Sequence, residues 1–226
     1  MPVLPTLELE RTLWAGSEVV IGMDEVGRGA LAGPVSVGAL ALRADCGEIP
    51  QHLRDSKAMT PLRRAATAPL VRAWGVAAVG HASPEEIDRL GIQVALGIAG
   101  RRALVLLHEA GVAVPAATIL LDGSHDWLAP ALRAPVRTTL RVKADRDCAS
   151  VSGAACVAKV ERDARMVEAD ALHPGFAWAS NKGYGSAAHL AGIAALGPTP
   201  LHRRTWLRGT AGRGGAALDA EAVAAP

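Results

Sequence analysis

The chain has 226 residues, half of them hydrophobic but only 3% aromatic, so a sizeable core must be built mainly from Ala, Val, Leu and Ile. A formal net charge of +2 does not mark a broadly basic nucleic-acid binder; a basic face must come from local clustering, as in residues 137–165 with seven Lys and Arg against four acids. Three cysteines without C-x-x-C spacing exclude a disulfide framework and fit free thiols in a reducing cytoplasm.

In chain order, residues 1–16 read as an N-terminal extension without the apolar core of a secretory leader. Val19–Met23 is an apolar run ending in Asp24-Glu25, a buried strand. Gly27, Gly29 and Gly33 bend the chain before Pro34, and 35–42 resumes as a second strand, giving a hairpin with a wide turn. Thr60-Pro61 starts a helix, 75–80 is a third strand, and Ser83-Pro-Glu-Glu86 is a capping box ahead of another helix. Helical spacing continues over 92–110 and stops at Gly111. Thr118–Leu121 is a strand ending in Asp122, and 136–142 alternates as a strand up to Lys143-Ala-Asp145. A long helix covers about 151–172 and a further one 186–196. Beyond Arg208 the composition collapses to Gly, Ala and Thr, so 208–226 is expected to be a disordered tail. No run approaches ~18 uninterrupted apolar residues, and the chain is expected to be a cytoplasmic monomer that contacts no membrane. Strands interleaved with helices give an α/β class with a mixed sheet.

Three strands are thus expected to deliver acids: Asp24-Glu25, Asp122 and Asp145. Converging carboxylates without Cys or His at ligand spacing suit hard cations such as Mg²⁺ or Mn²⁺, and two such ions support phosphodiester hydrolysis. Asp24 and Glu25 point to opposite faces of an ideal strand, so both reach one site only if the backbone turns there. Gly27 and Gly29 make that turn available.

The segment Gly22-Met-Asp-Glu-Val-Gly-Arg-Gly-Ala-Leu-Ala-Gly-Pro34 resembles the opening signature of the bacterial ribonuclease HII family. Asp55-Ser-Lys57, Leu121-Asp-Gly123, Lys143-Ala-Asp145, Ala158-Lys-Val160 with Arg162-Asp163, Asn181-Lys-Gly-Tyr184 and His202-Arg-Arg204 follow in the family's order. The resemblance spans about 17–207, taken as one catalytic domain. It implies a ribonuclease H-like fold: a five-stranded mixed sheet flanked by helices, with a C-terminal helical region. It implies that Asp24, Glu25, Asp122 and Asp145 are catalytic, metal-binding carboxylates for Mg²⁺ or Mn²⁺. The implied substrates are RNA–DNA hybrids and duplex DNA carrying single ribonucleotides, cut on the 5′ side to leave 3′-hydroxyl and 5′-phosphate ends. Gly27, Arg28 and Gly29 would read the 2′-hydroxyl, and Tyr184 would pack against the sugar at the junction. Lys57 and Lys182 are candidates for phosphate contact, being two of only four lysines.

The chain departs from the family pattern in three places. The stretch after Asp122 is long, which implies an extended hairpin, Ala155 stands where the family has serine, and Asp147 offers a second acid two residues after Asp145, although the Lys-x-Asp frame favours Asp145. Arg162 and Arg203 carry little weight in an arginine-rich composition, His202 shows no partner, and Lys159 with Asp163 reads as an i, i+4 pair. A dinucleotide-binding reading of Gly27, Gly29 and Gly33 fails because a strand follows where a helix is required. A resolvase-like nuclease of the same fold and a non-catalytic nucleic-acid-binding module are the remaining rivals.

Overall fold

A computed structural model describes residues 4–207, and the tail 208–226 lies outside the described residues. Strands β1 (Val19–Val26), β2 (Val35–Arg43), β3 (Val76–Ala82), β4 (Thr118–Asp122) and β5 (Arg137–Arg141) form one sheet in the order β3-β2-β1-β4-β5. The first three pair antiparallel, whereas β4 joins β1, and β5 joins β4, in parallel. The five-stranded mixed sheet flanked by helices is therefore present.

Period-two alternation decides which layer each strand residue enters. Ile21, Met23, Val37, Ala39, Ile119 and Leu121 face helix α4 (Ile92–Glu109), meeting Ala95, Leu96, Ala99, Ala103 and Leu107. On the opposite face Leu40 and Leu42 meet the long helix α6 (Ala149–Leu172) and helix α2 (Pro61–Trp74). Val20 and Leu120 meet Val151 of α6. A one-residue slip of β1 would exchange these two sets, so the buried pattern on both faces pins the register. Thr60 caps α2 through its hydroxyl, and Ser83 with Glu86 forms the expected capping box on α3 (Pro84–Leu90).

The structure corrects the reading of the segment after Asp122. Because β4 and β5 are parallel, residues 123–136 form a crossover and not a hairpin. A parallel connection needs roughly a dozen residues, which accounts for its length. It also feeds the core, since Trp127 and Leu128 are buried against α4.

The N-terminal segment packs onto the sheet. Helix α1 (Glu8–Trp14) buries Glu10, whose carboxylate accepts from Ser150 N at 2.8 Å and Ser150 Oγ at 2.7 Å. Glu10 therefore caps the first turn of α6 from outside the helix. Beyond α6, short helices α7 (Trp178–Asn181), α8 (Ala187–Leu196) and α9 (Arg204–Leu207) make the C-terminal helical region around Met166, Phe176, Trp178 and Ile193. Among the described residues, no helix is long and apolar enough to cross a membrane.

Candidate active site

The parallel register Val20↔Thr118 to Met23↔Leu121 sets Asp24 beside Asp122 at the carboxyl ends of neighbouring strands. Both belong to the alternation set of Val20, Gly22 and Leu120, so they leave the sheet on the α6 side. The predicted backbone turn at Asp24-Glu25 does not occur. β1 stays paired through Asp24↔Gly38, Glu25↔Val37 and Val26↔Ser36, so Glu25 leaves on the other face. There its Oε1 accepts from Arg28 Nη1 at 3.3 Å. Glu25 is still near enough to raise the pKa of Asp24.

Asp145 arrives differently from the sequence reading, which placed it at a strand end. β5 stops at Arg141, Lys143 takes a left-handed conformation at φ 63°, and Asp145 sits on the short helix α5 (Ala144–Asp147). The sharp reversal folds α5 back over β4, where Asp122 Oδ1 accepts from Ala144 N at 2.7 Å. The Ser152 hydroxyl on α6 donates to the Asp145 carbonyl at 2.5 Å, anchoring the turn from the other side.

Charge accumulates here. Burial, then Glu25, Asp122 and Asp145, hold the Asp24 carboxyl well above the ordinary aspartate range. Burial and then Asp145 raise that of Asp122, against hydrogen bonds from the α5 backbone. Among the described residues one cation answers them: Lys57 Nζ lies 2.7 Å from Asp145 Oδ2, and Asp145 is only 6% exposed. That bond is the main cause raising the Lys57 pKa. Arg64 holds the lysine's loop in place, donating to the carbonyls of Ser56 at 2.7 Å and Met59 at 2.6 Å.

A second group of predicted residues forms the adjoining rim. Gly27 has φ 79°, and a Cβ there would lie 2.0 Å from Arg162 Nε, so only glycine fits. Gly29 has neither constraint: nothing lies within 4 Å of the position a Cβ would take. Arg28 and Gly29 are exposed. Tyr184 is 39% exposed, with the Arg162 guanidinium 5.6 Å from its ring centroid. Lys182 folds its ammonium back onto the Ala179 carbonyl.

Sequence reasoning missed what supports this rim. Arg162 and Arg203 are both wholly buried beneath it. His202 does have a partner, since its Nε2 lies 3.1 Å from Nε2 of His189. Thr199 N donates to His202 Nδ1 at 2.9 Å, and Trp178 Nε1 donates to His189 Nε2 at 2.9 Å. This leaves His189 Nδ1 to donate to the Tyr184 carbonyl at 2.9 Å. The arrangement accommodates two neutral rings only, and burial pushes His202 down to about 4. No signal in the sequence links His189 to His202, whereas the i, i+4 pair Lys159–Asp163 was legible and forms at 2.6 Å. Burial raises the Cys148 and Cys156 thiols to about 12 and about 11, which keeps them inert.

Comparison with known proteins shows the family and the fold. The family model described as Ribonuclease HII matches residues 21–209. The ribonuclease HII of Streptomyces avermitilis is 44% identical over 205 residues, covering 89% of this chain and 83% of the relative. Among solved structures, ribonuclease HII of Archaeoglobus fulgidus, determined in complex with PCNA, superposes with a TM-score of 0.66 at 23% identity. The match covers 83% of this chain and 95% of that one. Bst-RNase HIII in complex with Mn²⁺ gives 0.62 at 22% identity, over 88% of this chain and 70% of that one. At such identities the structural matches establish the ribonuclease H-like fold, while the family rests on the sequence matches. The chain belongs to the ribonuclease HII family and is a metal-dependent hydrolase of the ribonuclease H class.

Proposed function

We propose that this ribonuclease hydrolyses the RNA strand of RNA–DNA hybrids and also cuts duplex DNA 5′ of a single ribonucleotide, leaving 3′-hydroxyl and 5′-phosphate ends. The observation that carries the reading is the parallel β1/β4 register, which seats Asp24 beside Asp122, with Asp145 folded back over both. Asp24, Asp122 and Asp145 are the residues that would hold divalent cations, Mg²⁺ or Mn²⁺, and Glu25, the first of the charges acting on Asp24, would join them by turning its side chain past the end of the strand pairing.

Their chemistry fits such ions: the donors are all oxygen, and two carboxyls are raised by burial and then by neighbouring carboxylates. Among the described residues, no three His, Cys, Asp or Glu already stand at ligand separations. The Lys57 ammonium on Asp145 supplies the positive charge in that arrangement. A pair of divalent ions, when bound, would supply an activated water and stabilise the leaving oxygen.

The chain's own residues do the rest. Among the described residues the backbone N–H groups of Arg28 and Gly29 donate to no acceptor, and both residues are exposed. Two adjacent free donors suit a sugar hydroxyl, and space is left at Gly29 for a sugar to approach. The exposed Tyr184 ring offers a flat surface for that sugar. Lys57, once displaced from Asp145, is long and mobile enough to meet a phosphate.

The decisive assay presents a duplex with one ribonucleotide beside an all-DNA control, in Mg²⁺ and separately in Mn²⁺. Cutting confined to the ribonucleotide duplex is expected; equal cutting of both would sink 2′-hydroxyl reading and favour a general nuclease of this fold. A substitution isolates the loop. Gly29→Ala should leave the melting temperature unchanged, because its methyl meets nothing, yet reduce cleavage at the ribonucleotide roughly tenfold by crowding the sugar. Unchanged cleavage kinetics would place the substrate elsewhere.

A further inference from the structure

Two buried guanidiniums lie under the substrate rim, and their donors are spent on its backbone. Arg162 donates to the carbonyls of Pro34 at 2.9 Å, Lys182 at 2.9 Å and Ala32 at 3.2 Å. Arg203 donates to Gly27 at 2.6 Å, Arg28 at 2.8 Å and Gly33 at 3.1 and 3.2 Å. Both side chains are 0% exposed, and neither has a carboxylate ion pair among the described residues. Burying two like charges without a counter-ion is costly, and apolar side chains of similar volume would fill the space more favourably. What apolar groups cannot do is fix the direction of six carbonyls.

That direction has a consequence for the opposite side of each peptide. In a trans peptide the C=O and N–H point in opposite directions. With the Gly27 and Arg28 carbonyls drawn inward to Arg203, the N–H groups of Arg28 and Gly29 are turned outward, away from the guanidinium. Arg162 adds a link between two loops. It binds Ala32 and Pro34 of one and Lys182 of the other, and its guanidinium supports the Tyr184 ring. The loops also pair directly, since Leu31 N and Ala32 N donate to the Gly183 carbonyl at 2.8 and 3.1 Å. Gly183 has φ 84°, and a Cβ there would come within 2.3 Å of the Ala32 carbonyl oxygen, so the contact excludes any larger residue.

We infer that Arg162 and Arg203 are positioning residues for substrate selection: they lock residues 27–34 and 182–184 into one unit, aiming the Arg28 and Gly29 N–H pair and the Tyr184 ring at the same sugar. The inference rests on the reading that this rim recognises the 2′-hydroxyl. Arginine is required because its planar fork satisfies several carbonyls at once, whereas a lysine keeps the charge but not the geometry.

The test compares the intact protein with Arg162→Lys and Arg203→Lys. Dissociation constants are measured in chelator for a duplex with one ribonucleotide and for its all-DNA counterpart. The wild-type protein should prefer the ribonucleotide duplex. Each lysine variant should lose roughly tenfold of that preference, the worth of about one hydrogen bond, while its affinity for all-DNA duplex is unchanged. General damage would lower both affinities together. A folded variant that keeps the full preference overturns the positioning role. Absence of any preference in the wild-type protein would instead overturn the reading of the rim itself. Should a lysine variant fail to fold, amide exchange on the wild-type protein decides. Residues 27–34 and 182–184 should open at one shared rate, and independent opening would refute the coupling.

Discussion

Asp24→Asn should reduce hydrolysis of a single-ribonucleotide duplex by roughly a thousandfold, the scale on which loss of a key electrostatic group acts, and yet melt at a higher temperature than the parent in chelator. Both effects have one origin. Asp24 is pressed by burial and by Glu25, Asp122 and Asp145, with only Lys57 opposing. An amide fills the same volume without the charge, so the repulsion disappears together with the proposed metal ligand. For a domain of this size each kcal/mol relieved raises melting by about 2–4 °C.

The pH dependence follows from the sign of the shift. A carboxyl whose folded pKa is raised binds its proton more tightly when folded, so its contribution to stability is present below the ordinary aspartate range and is lost as pH rises towards the folded value. The advantage of Asp24→Asn should therefore vanish below about pH 4, the unperturbed aspartate pKa, and grow as pH rises above it. Melting curves in chelator from acid to alkaline pH measure this. A variant that melts lower than the parent at pH ~8, or that retains full activity, is incompatible with a charged cluster at this position.

Gly38→Ala is expected to cost about 3 kcal/mol, the upper end for overpacking, and to lower melting by roughly 6–12 °C. A Cβ on Gly38 would lie 2.2 Å from the Ala154 carbonyl oxygen and 2.9 Å from its carbon, both backbone atoms of α6. No rotamer change relieves a backbone clash, so α6 would have to lift from β2. Ser152, which ties the Asp145 carbonyl, lies on that same stretch of α6. Activity per folded molecule should therefore fall as well, in contrast to Gly29→Ala, which leaves melting untouched. A Gly38→Ala protein melting like the parent would show that α6 does not rest on β2 as closely as these distances require.

How much of a feature can be read from sequence depends on how far apart its interacting residues lie. Local chemistry was legible in advance. Thr60 and Ser83 mark helix starts because a cap concerns residues three apart, and the strands around Asp24 and Asp122 declare themselves by apolar runs. The four candidate carboxylates are marked by the apolar runs before them and by motif resemblance, and the Gly27-Arg-Gly29 loop takes its expected role from the resemblance, which registers residue order whatever the distance between them. The errors fell where a single residue's backbone or a strand's direction decides the outcome. Lys143 at positive φ converts an expected strand end into the short helix of Asp145. The straight run of β1 sends Glu25 to the opposite face from Asp24. A parallel β4/β5 pair turns an expected hairpin into a crossover.

By itself the sequence determined the α/β class, most of the elements and the identity of the acidic residues, because periodicity, capping and motif order are written in neighbouring positions. Only the tertiary structure decided how the rim is held: the sides to which Asp24 and Glu25 point, the ammonium of Lys57 on Asp145, and the buried Arg162 and Arg203 beneath the loop. In a chain rich in arginine, composition cannot single out two that carry no counter-ion among the described residues. Their role depends on carbonyls brought to them from up to 176 residues away, and such partners are chosen by packing, not by adjacency.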